Sequence, residues 1–290
     1  MRTITITAPA KVNLGLWVGK IRPDGYHNIV TTMVPLELGD TVTISPAHRG
    51  IRLKTTGIPL HLPPEKNLAY RAAKLFFSAT GIKSGCRIKI SKKIPPGAGL
   101  GGGSSDAAAV LKGLNQLWHT PFSINLLKKL ALQLGSDVPF FIKPQPGVAR
   151  GKGEKIRPIK IPRFNIILLV PDFGIATPWA YHQIDRQRRK LTACPISPKI
   201  LGLKLRRKEL AGVADQLHNS FEPVVFRRYP QLERAKRLLL TCGAYAASLS
   251  GSGSTVYGLF TRQDPMAVYE LEKSKPAGFS LFSTRSRPSA

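Results

Sequence analysis

I-P-P-G-A-G-L-G-G-G-S-S-D, residues 94–106, decides how this chain is read. Five glycines (Gly97, Gly99, Gly101, Gly102 and Gly103) fall within seven positions, and Ser104 and Ser105 lead into an apolar pattern with helical spacing. Backbone without Cβ atoms can turn successive N–H groups toward one point. A helix that starts there adds the positive end of its dipole. The stretch reads as an anion cradle, with phosphate the expected anion.

Three other readings fail on specific residues. Gly97, Gly99 and Gly102 satisfy G-x-G-x-x-G, and residues 86–90 look like the required upstream strand. A dinucleotide site of that kind needs a carboxylate about 20 residues further on. No Asp or Glu stands between Asp106 and Asp137, and Pro95 and Pro96 separate strand from glycines. A Walker-type loop ends in Gly-Lys-Ser/Thr, whereas Gly103 is followed directly by Ser104. A bare hinge has no use for two hydroxyls opening a helix.

Composition sets the class. At 290 residues with 42% hydrophobic content, the chain can bury a full core as one large domain or two ordinary ones. Cys86, Cys194 and Cys242 are odd in number and show no C-x-x-C spacing, which suits a reducing compartment and argues against zinc or redox chemistry. The first residues alternate like a strand and lack the apolar core of a signal peptide. The apolar run at 166–170 is too short to cross a bilayer. A cytoplasmic protein with no membrane partner is expected. The net charge of +28 raises nucleic-acid binding as a reading. Its densest segment, 186–208, has little of the aromatic interleaving that stacking on bases needs. A solvated helical insert is the expectation, with nucleic acid not a partner. The charge would still speed capture of polyanionic substrates at low salt.

Alternating segments at 3–7, 12–19, 40–45 and 87–91 predict strands, with Pro9 breaking the first and Val12 opening the next. Helical spacing covers 67–78, stopping at Gly81, and marks Ala107, Val110, Leu111, Leu114 and Trp118 as one face. A further helix after 121–123 should turn Leu126, Leu127, Leu130 and Leu134 inward. Beyond Pro162 the pattern predicts a strand at 164–170, helices at 177–187 and 222–240, a strand pair at 245–249 and 255–260, and a last strand at 280–282. Residues 284–290 should fray. The alternation is not a strict βαβ repeat, so an α+β architecture is expected.

The stretch 94–106 resembles the phosphate-binding motif of the GHMP kinases, the superfamily of galactokinase, homoserine kinase and mevalonate kinase. Its long form is similar to the branch that acts on 4-diphosphocytidyl-2-C-methyl-D-erythritol in non-mevalonate isoprenoid biosynthesis. Further segments extend the resemblance: A-P-A-K-V-N-L at 8–14, R-P-D-G-Y-H at 22–27, L-G-S-D-V-P-F-F at 134–141, G-I-A-T-P-W-A-Y at 174–181 and S-L-S-G-S-G-S-T-V at 248–256. Taken singly they read as a solvated strand end, a turn, a cap, a helix start and a hairpin tip.

The resemblance implies the two-domain GHMP kinase fold. A domain like the second domain of ribosomal protein S5 would span 1–160, a ferredoxin-like α/β sandwich 161–283, and a flexible tail 284–290. It implies that Pro95, Pro96, Gly97, Ala98, Gly99, Leu100, Gly101, Gly102, Gly103, Ser104 and Ser105 bind ATP. Asp137 would be the general base and Lys11 its electrostatic partner. Asn13, Tyr26, His27, Thr177 and Tyr181 would bind the substrate, and Ser250, Gly251, Ser252 and Gly253 would support the phosphate loop. Mg2+ is expected with ATP, through Ser104 or Ser105. Some relatives hold it through a glutamate that has no clear counterpart here, so no protein metal ligand is assigned. The expected partners are ATP and a cytidine-diphosphate-linked polyol, and the expected state is a monomer or homodimer. The rivals are a kinase for another small alcohol, such as homoserine or a mevalonate derivative, and a basic nucleic-acid-binding protein on a kinase-like fold.

Overall fold

Strands β1 (Ile4–Ile21) and β2 (His27–Ala47) are far longer than the alternating segments that mark them in the sequence. The computed structural model describes residues 3–60, 62–187, 194, 197–207 and 209–288. The expected break at Pro9 does not occur: 3–7 and 12–19 are joined in one strand. Gly39 explains why. A Cβ there would lie 2.9 Å from the Ala8 carbonyl and 3.2 Å from Pro9 Cα. The backbone of β2 can therefore run close past the proline, which has no N–H to satisfy. Lys11 consequently sits inside a strand and is buried, not at a solvated strand end.

The chain forms two compact units, each built from several segments. One comprises Met1–Ala10, Leu38–Pro96 and Gly101–Pro144, and the other Lys11–Glu37, Gly97–Leu100 and Gln145–Ala290. The division falls inside β1 and β2.

In the first unit, β3 (Ile51–Gly57) is followed by helix α1 (Leu68–Thr80) and strand β4 (Gly85–Lys92). A parallel pair needs such a crossover, and β3 and β4 are parallel, with Ile51 opposite Cys86. On its other side β4 runs antiparallel to the end of β2, from Thr41 opposite Ser91 to Ala47 opposite Gly85. Asn67 caps α1 by accepting from the Ala69 N–H, and Gly81 ends it in the left-handed region. Three more helices follow: α2 (Gly102–Leu117), α3 (Ile124–Leu134) and α4 (Val138–Ile142). Gly113 lets α2 settle on the Ile44 and Ile6 side chains. In α3 the inward residues are Leu127, Leu130 and Ala131, while Leu126 is exposed. The buried stripe is therefore narrower than the run of leucines suggests.

In the second unit, the start of β2 pairs antiparallel with β5 (Gly147–Gly151), which pairs with β6 (Lys155–Pro158). Then come β7 (Asn165–Pro171), α5 (Thr177–Gln187), α6 (Pro198–Arg207), α7 (Leu210–Ala214), α8 (Glu222–Arg228), α9 (Pro230–Thr241), β8 (Ala246–Leu249), β9 (Val256–Phe260), α10 (Pro265–Ser274) and β10 (Phe279–Arg285). The antiparallel sheet runs β10-β7-β9-β8. Leu169, Val256 and Leu249 from its strands share one buried cluster with Ile184, Val225, Leu239 and Leu271 from the helices. The architecture is α+β, as expected.

Two expectations need correcting here. The single helix over 222–240 is two helices, because Tyr229 ahead of Pro230 is held in a non-helical conformation, φ −129° and ψ 72°. Residues 284–287 do not fray. Thr284 and Arg285 pair with Ile166 and Asn165. The Ser286 N–H donates to the Phe164 carbonyl, and its Oγ accepts from the Phe164 N–H. Arg287 donates to the carbonyls of Pro35 and Leu36. Much of the basic segment, 188–193, 195–196 and 208, lies outside the described residues. Among the described residues no helix is long and apolar enough to cross a membrane.

Deleting residues 286–290 removes the hydrogen bonds of Ser286 and Arg287. At about 1 kcal/mol for each buried bond, the melting temperature should fall by roughly 4–10 °C. An unchanged melting curve would mean that the segment contributes nothing to stability.

Candidate active site

The glycine loop gives up its carbonyls to the protein. The Ala98 carbonyl accepts from the Thr255 N–H at 3.1 Å, and that of Gly99 accepts from Ser250 Oγ at 3.1 Å. The Leu100 carbonyl accepts from the Lys11 N–H at 2.9 Å. Among the described residues, the N–H groups of Gly97 to Ser104 meet no acceptor. A run of donors without partners, continuing into the first turn of α2, is what an anion site requires. Gly97, Gly99 and Gly101 all have positive φ. Gly99 is the most constrained, since a Cβ there would collide with the Ser250 carbonyl and come within 2.8 Å of the Gly253 carbonyl.

The turn at 250–253 is held in its own right. Asn219 Nδ2 donates to the carbonyls of Leu249 and Gly251, at 2.7 and 3.0 Å. Glu222 Oε1 accepts from Ser248 Oγ and the Leu249 N–H, at 2.8 and 2.9 Å. Ser252 Oγ lies 2.9 Å from Thr177 Oγ1, at the start of α5. Gly251 is close to Lys11 and Asn13, since a Cβ at 251 would be 3.4 Å from Asn13 Oδ1 and 3.6 Å from Lys11 Nζ.

Lys11 and Asn13 project from the same face of β1, two residues apart. Lys11, only 5% exposed, donates from Nζ to Asn13 Oδ1 at 2.6 Å. The amide is oriented from behind: Asn13 Nδ2 donates to Thr31 Oγ1 at 3.1 Å, and that hydroxyl donates to the Gly15 carbonyl at 2.7 Å. The donors run in one direction, which leaves Oδ1 for the ammonium. The Asn13 carbonyl accepts from the buried Tyr257 hydroxyl at 2.9 Å.

His27 and Tyr181 are brought together. Their rings stack with centroids 4.9 Å apart and planes 19° apart. His27 Nε2 lies 2.8 Å from Asp185 Oδ1, one turn along α5 from Tyr181. Tyr26 is not part of this stack. It is 54% exposed, and Lys152 Nζ sits 4.5 Å from its ring centroid.

Asp137 is half-buried in the first unit, directly before α4. The helix before it has ended at Gly135, and Pro139 helps start the next. Its side chain makes no capping hydrogen bond to α4, so the ordinary explanation for an Asp at this position does not apply.

Beneath the loop lies a buried cluster of three charges. Lys92 Nζ is 2.5 Å from Asp40 Oδ2 and 2.8 Å from Asp106 Oδ2. Burial raises the Asp106 carboxyl to about 7, against the pull of Lys92. Burial alone would lower Lys92, but Asp106 and Asp40 outweigh it and the ammonium is raised overall. Ser105 Oγ, nearby in the first turn of α2, is buried without a hydrogen-bond partner among the described residues. An orphan hydroxyl there fits a magnesium ion carried on phosphate oxygens. No group of three or more His, Cys, Asp or Glu side chains gathers among the described residues, so an ion would rely on the nucleotide for most of its ligands.

Comparison with known proteins gives this geometry a family. Residues 67–144 match the family described as GHMP kinases N terminal domain, and 203–272 match GHMP kinases C terminal. A 4-diphosphocytidyl-2-C-methyl-D-erythritol kinase from Thermodesulfovibrio yellowstonii is 39% identical over 264 residues, 90% of each chain. The chain belongs to the GHMP kinases. A crystal structure of 4-(cytidine 5'-diphospho)-2C-methyl-D-erythritol kinase matches this GHMP kinase with a TM-score of 0.82 at 34% identity, covering 98% of this chain and 99% of that one. A homoserine kinase from Cytophaga hutchinsonii reaches a TM-score of 0.75 at 20% identity, covering 100% and 96%. At that distance the likeness is one of fold.

Several residues of this kinase escaped the sequence reading. Asn219 and Glu222 hold the 250–253 turn from over 25 residues away, and no local pattern marks them. Asp185 directly precedes the basic segment and drew no attention as a partner for His27. Lys92 did leave a trace. It continues the inward series Cys86, Ile88, Ile90 along β4, where an apolar residue would be expected.

Gly99→Ala combines left-handed backbone strain with a clash against two carbonyls. It should cost about 1–3 kcal/mol of stability and weaken nucleotide binding, which thermal melting with and without ATP would read. A variant that melts and binds like wild type would show that the close approach is unnecessary.

Proposed function

We propose that this GHMP kinase transfers the γ-phosphoryl group of ATP to the 2-hydroxyl of 4-diphosphocytidyl-2-C-methyl-D-erythritol. The observation that carries the reading is the loop at 97–104, whose N–H groups meet no acceptor among the described residues, in a chain 39% identical to a kinase named for that alcohol.

Phosphoryl transfer asks a protein for positioning and charge stabilisation more than for covalent chemistry. Pro95 to Ser105 wrap the triphosphate, with the N–H groups of residues 97–104 as the main-chain donors. The substrate hydroxyl oxygen attacks the γ-phosphorus, the bond to the β-phosphate oxygen breaks, and ADP leaves. Asp137 accepts the hydroxyl proton as general base. Lys11, aimed by Asn13, supplies positive charge to the alkoxide that develops. Ser104 and Ser105 are the hydroxyls that would hold magnesium, which when bound neutralises charge on the β- and γ-phosphates. His27 and Tyr181 meet the flat base by hydrogen bonding and stacking, and Tyr26 and Thr177 are the remaining substrate contacts. Ser250, Gly251, Ser252 and Gly253 keep the loop in shape.

ADP release measured with this substrate, homoserine and mevalonate separates the readings. The kcat/KM for the cytidylylated alcohol should exceed the others by at least about 100-fold; comparable values would reject it as the substrate. Asp137→Asn should lower kcat by about 100- to 10,000-fold with the KM for ATP little changed. Equal loss of rate and ATP binding would make Asp137 structural.

A further inference from the structure

The glycine loop has almost no side chains of its own with which to fix its shape. Its middle is held through the carbonyls of residues 98–100, and its two ends converge on one buried cation. At the near end, Asp40 Oδ1 accepts from the N–H groups of Lys93 and Ile94, at 2.6 and 2.9 Å. These are the last residues before Pro95 and Pro96. At the far end, Asp106 stands on the opening turns of α2. Lys92 Nζ joins the two carboxylates, with the side chains of Lys92, Asp40 and Asp106 only 4%, 0% and 4% exposed.

We infer that Lys92, Asp40 and Asp106 form a buried tie that sets the spacing between the two ends of the loop, making them positioning residues for the phosphates of ATP. The inference rests on the reading that this loop holds ATP, and on nothing about the alcohol. The start of α2 lies directly against the tie: a Cβ at Gly102 would be 2.9 Å from Ile94 Cγ2 and 3.3 Å from Lys92 Nζ. The charge balance argues for positioning rather than attraction. Two carboxyl groups against one ammonium leave no surplus of positive charge, so the cluster does nothing to draw in phosphate. An apolar cluster could fill the same space at no greater cost in stability. It could not hold the N–H groups of residues 93 and 94 in one direction, and hydrogen bonds can.

Asp106→Ala and Asp106→Asn test this. The alanine variant leaves Lys92 and Asp40 as a neutral pair, so the buried charge stays balanced, while the link to α2 is lost. The asparagine variant keeps an acceptor oxygen for Lys92. Calorimetric titration with magnesium and ATP should show binding weakened at least about 10-fold in Asp106→Ala and restored to within about threefold of wild type in Asp106→Asn. The KM for the alcohol should move less than about twofold in either. A merely structural role would weaken both substrates together, and only as far as the folded fraction falls in thermal melting. The inference is overturned if folded Asp106→Ala binds ATP like wild type, or if both substrates suffer equally. Should Asp106→Ala melt below the assay temperature, Asp106→Asn decides alone: near-normal ATP binding upholds the tie, and a tenfold loss in a folded protein ends it. Wild-type protein that does not bind ATP at all would remove the functional reading, and the inference with it.

Discussion

A backbone that turns a row of N–H groups toward an anion cannot also pack side chains at those positions, and its carbonyls must go somewhere. At residues 98, 99 and 100 they go to Thr255, Ser250 and the Lys11 N–H. Everything else about the loop follows from that allocation. Gly99 has to be glycine because the 250–253 turn comes too close for a Cβ. The turn has to be rigid because it supports a segment that cannot support itself. Asn219 and Glu222, anchored at the start of α8, provide that rigidity through four hydrogen bonds to residues 248–251.

Charge is handled with similar economy. Lys11 is buried, where an ammonium costs free energy unless it is hydrogen-bonded. The chain from Asn13 through Thr31 to the Gly15 carbonyl fixes which atom of the amide faces it. Lys92 is equally buried and is balanced by two carboxylates. Removing one partner from a buried ion pair costs about 3–5 kcal/mol, so this cluster cannot drift without a measurable penalty. Lys11 is thus oriented by the Asn13 amide, and Lys92 is locked into the scaffold.

The glycine loop and the start of α2 were legible in the sequence because glycine density is a local property. So were α1, whose cap and stop residues lie at its own ends, and the β8–β9 pair. Other features depend on distant chain. Pro9 reads as a strand breaker until Gly39 is seen to make room for it. Residues 284–287 read as a frayed tail because their acceptors lie at 35, 36 and 164. Tyr229–Pro230 was visible and should have split the long helix, since the rule for the residue before proline is local. Lys92 shows the subtlest case. The period-two pattern of β4 places it inward, but only the structure reveals Asp40 and Asp106 waiting there.

The central claim is that main-chain donors of residues 97–104 bind the polyphosphate of the nucleotide. A crystal structure with a non-hydrolysable ATP analogue and the cytidylylated alcohol tests it directly. The account requires β- and γ-phosphate oxygens within hydrogen-bond distance of those amides. Phosphates held elsewhere by side chains, with the loop amides facing solvent, would contradict it.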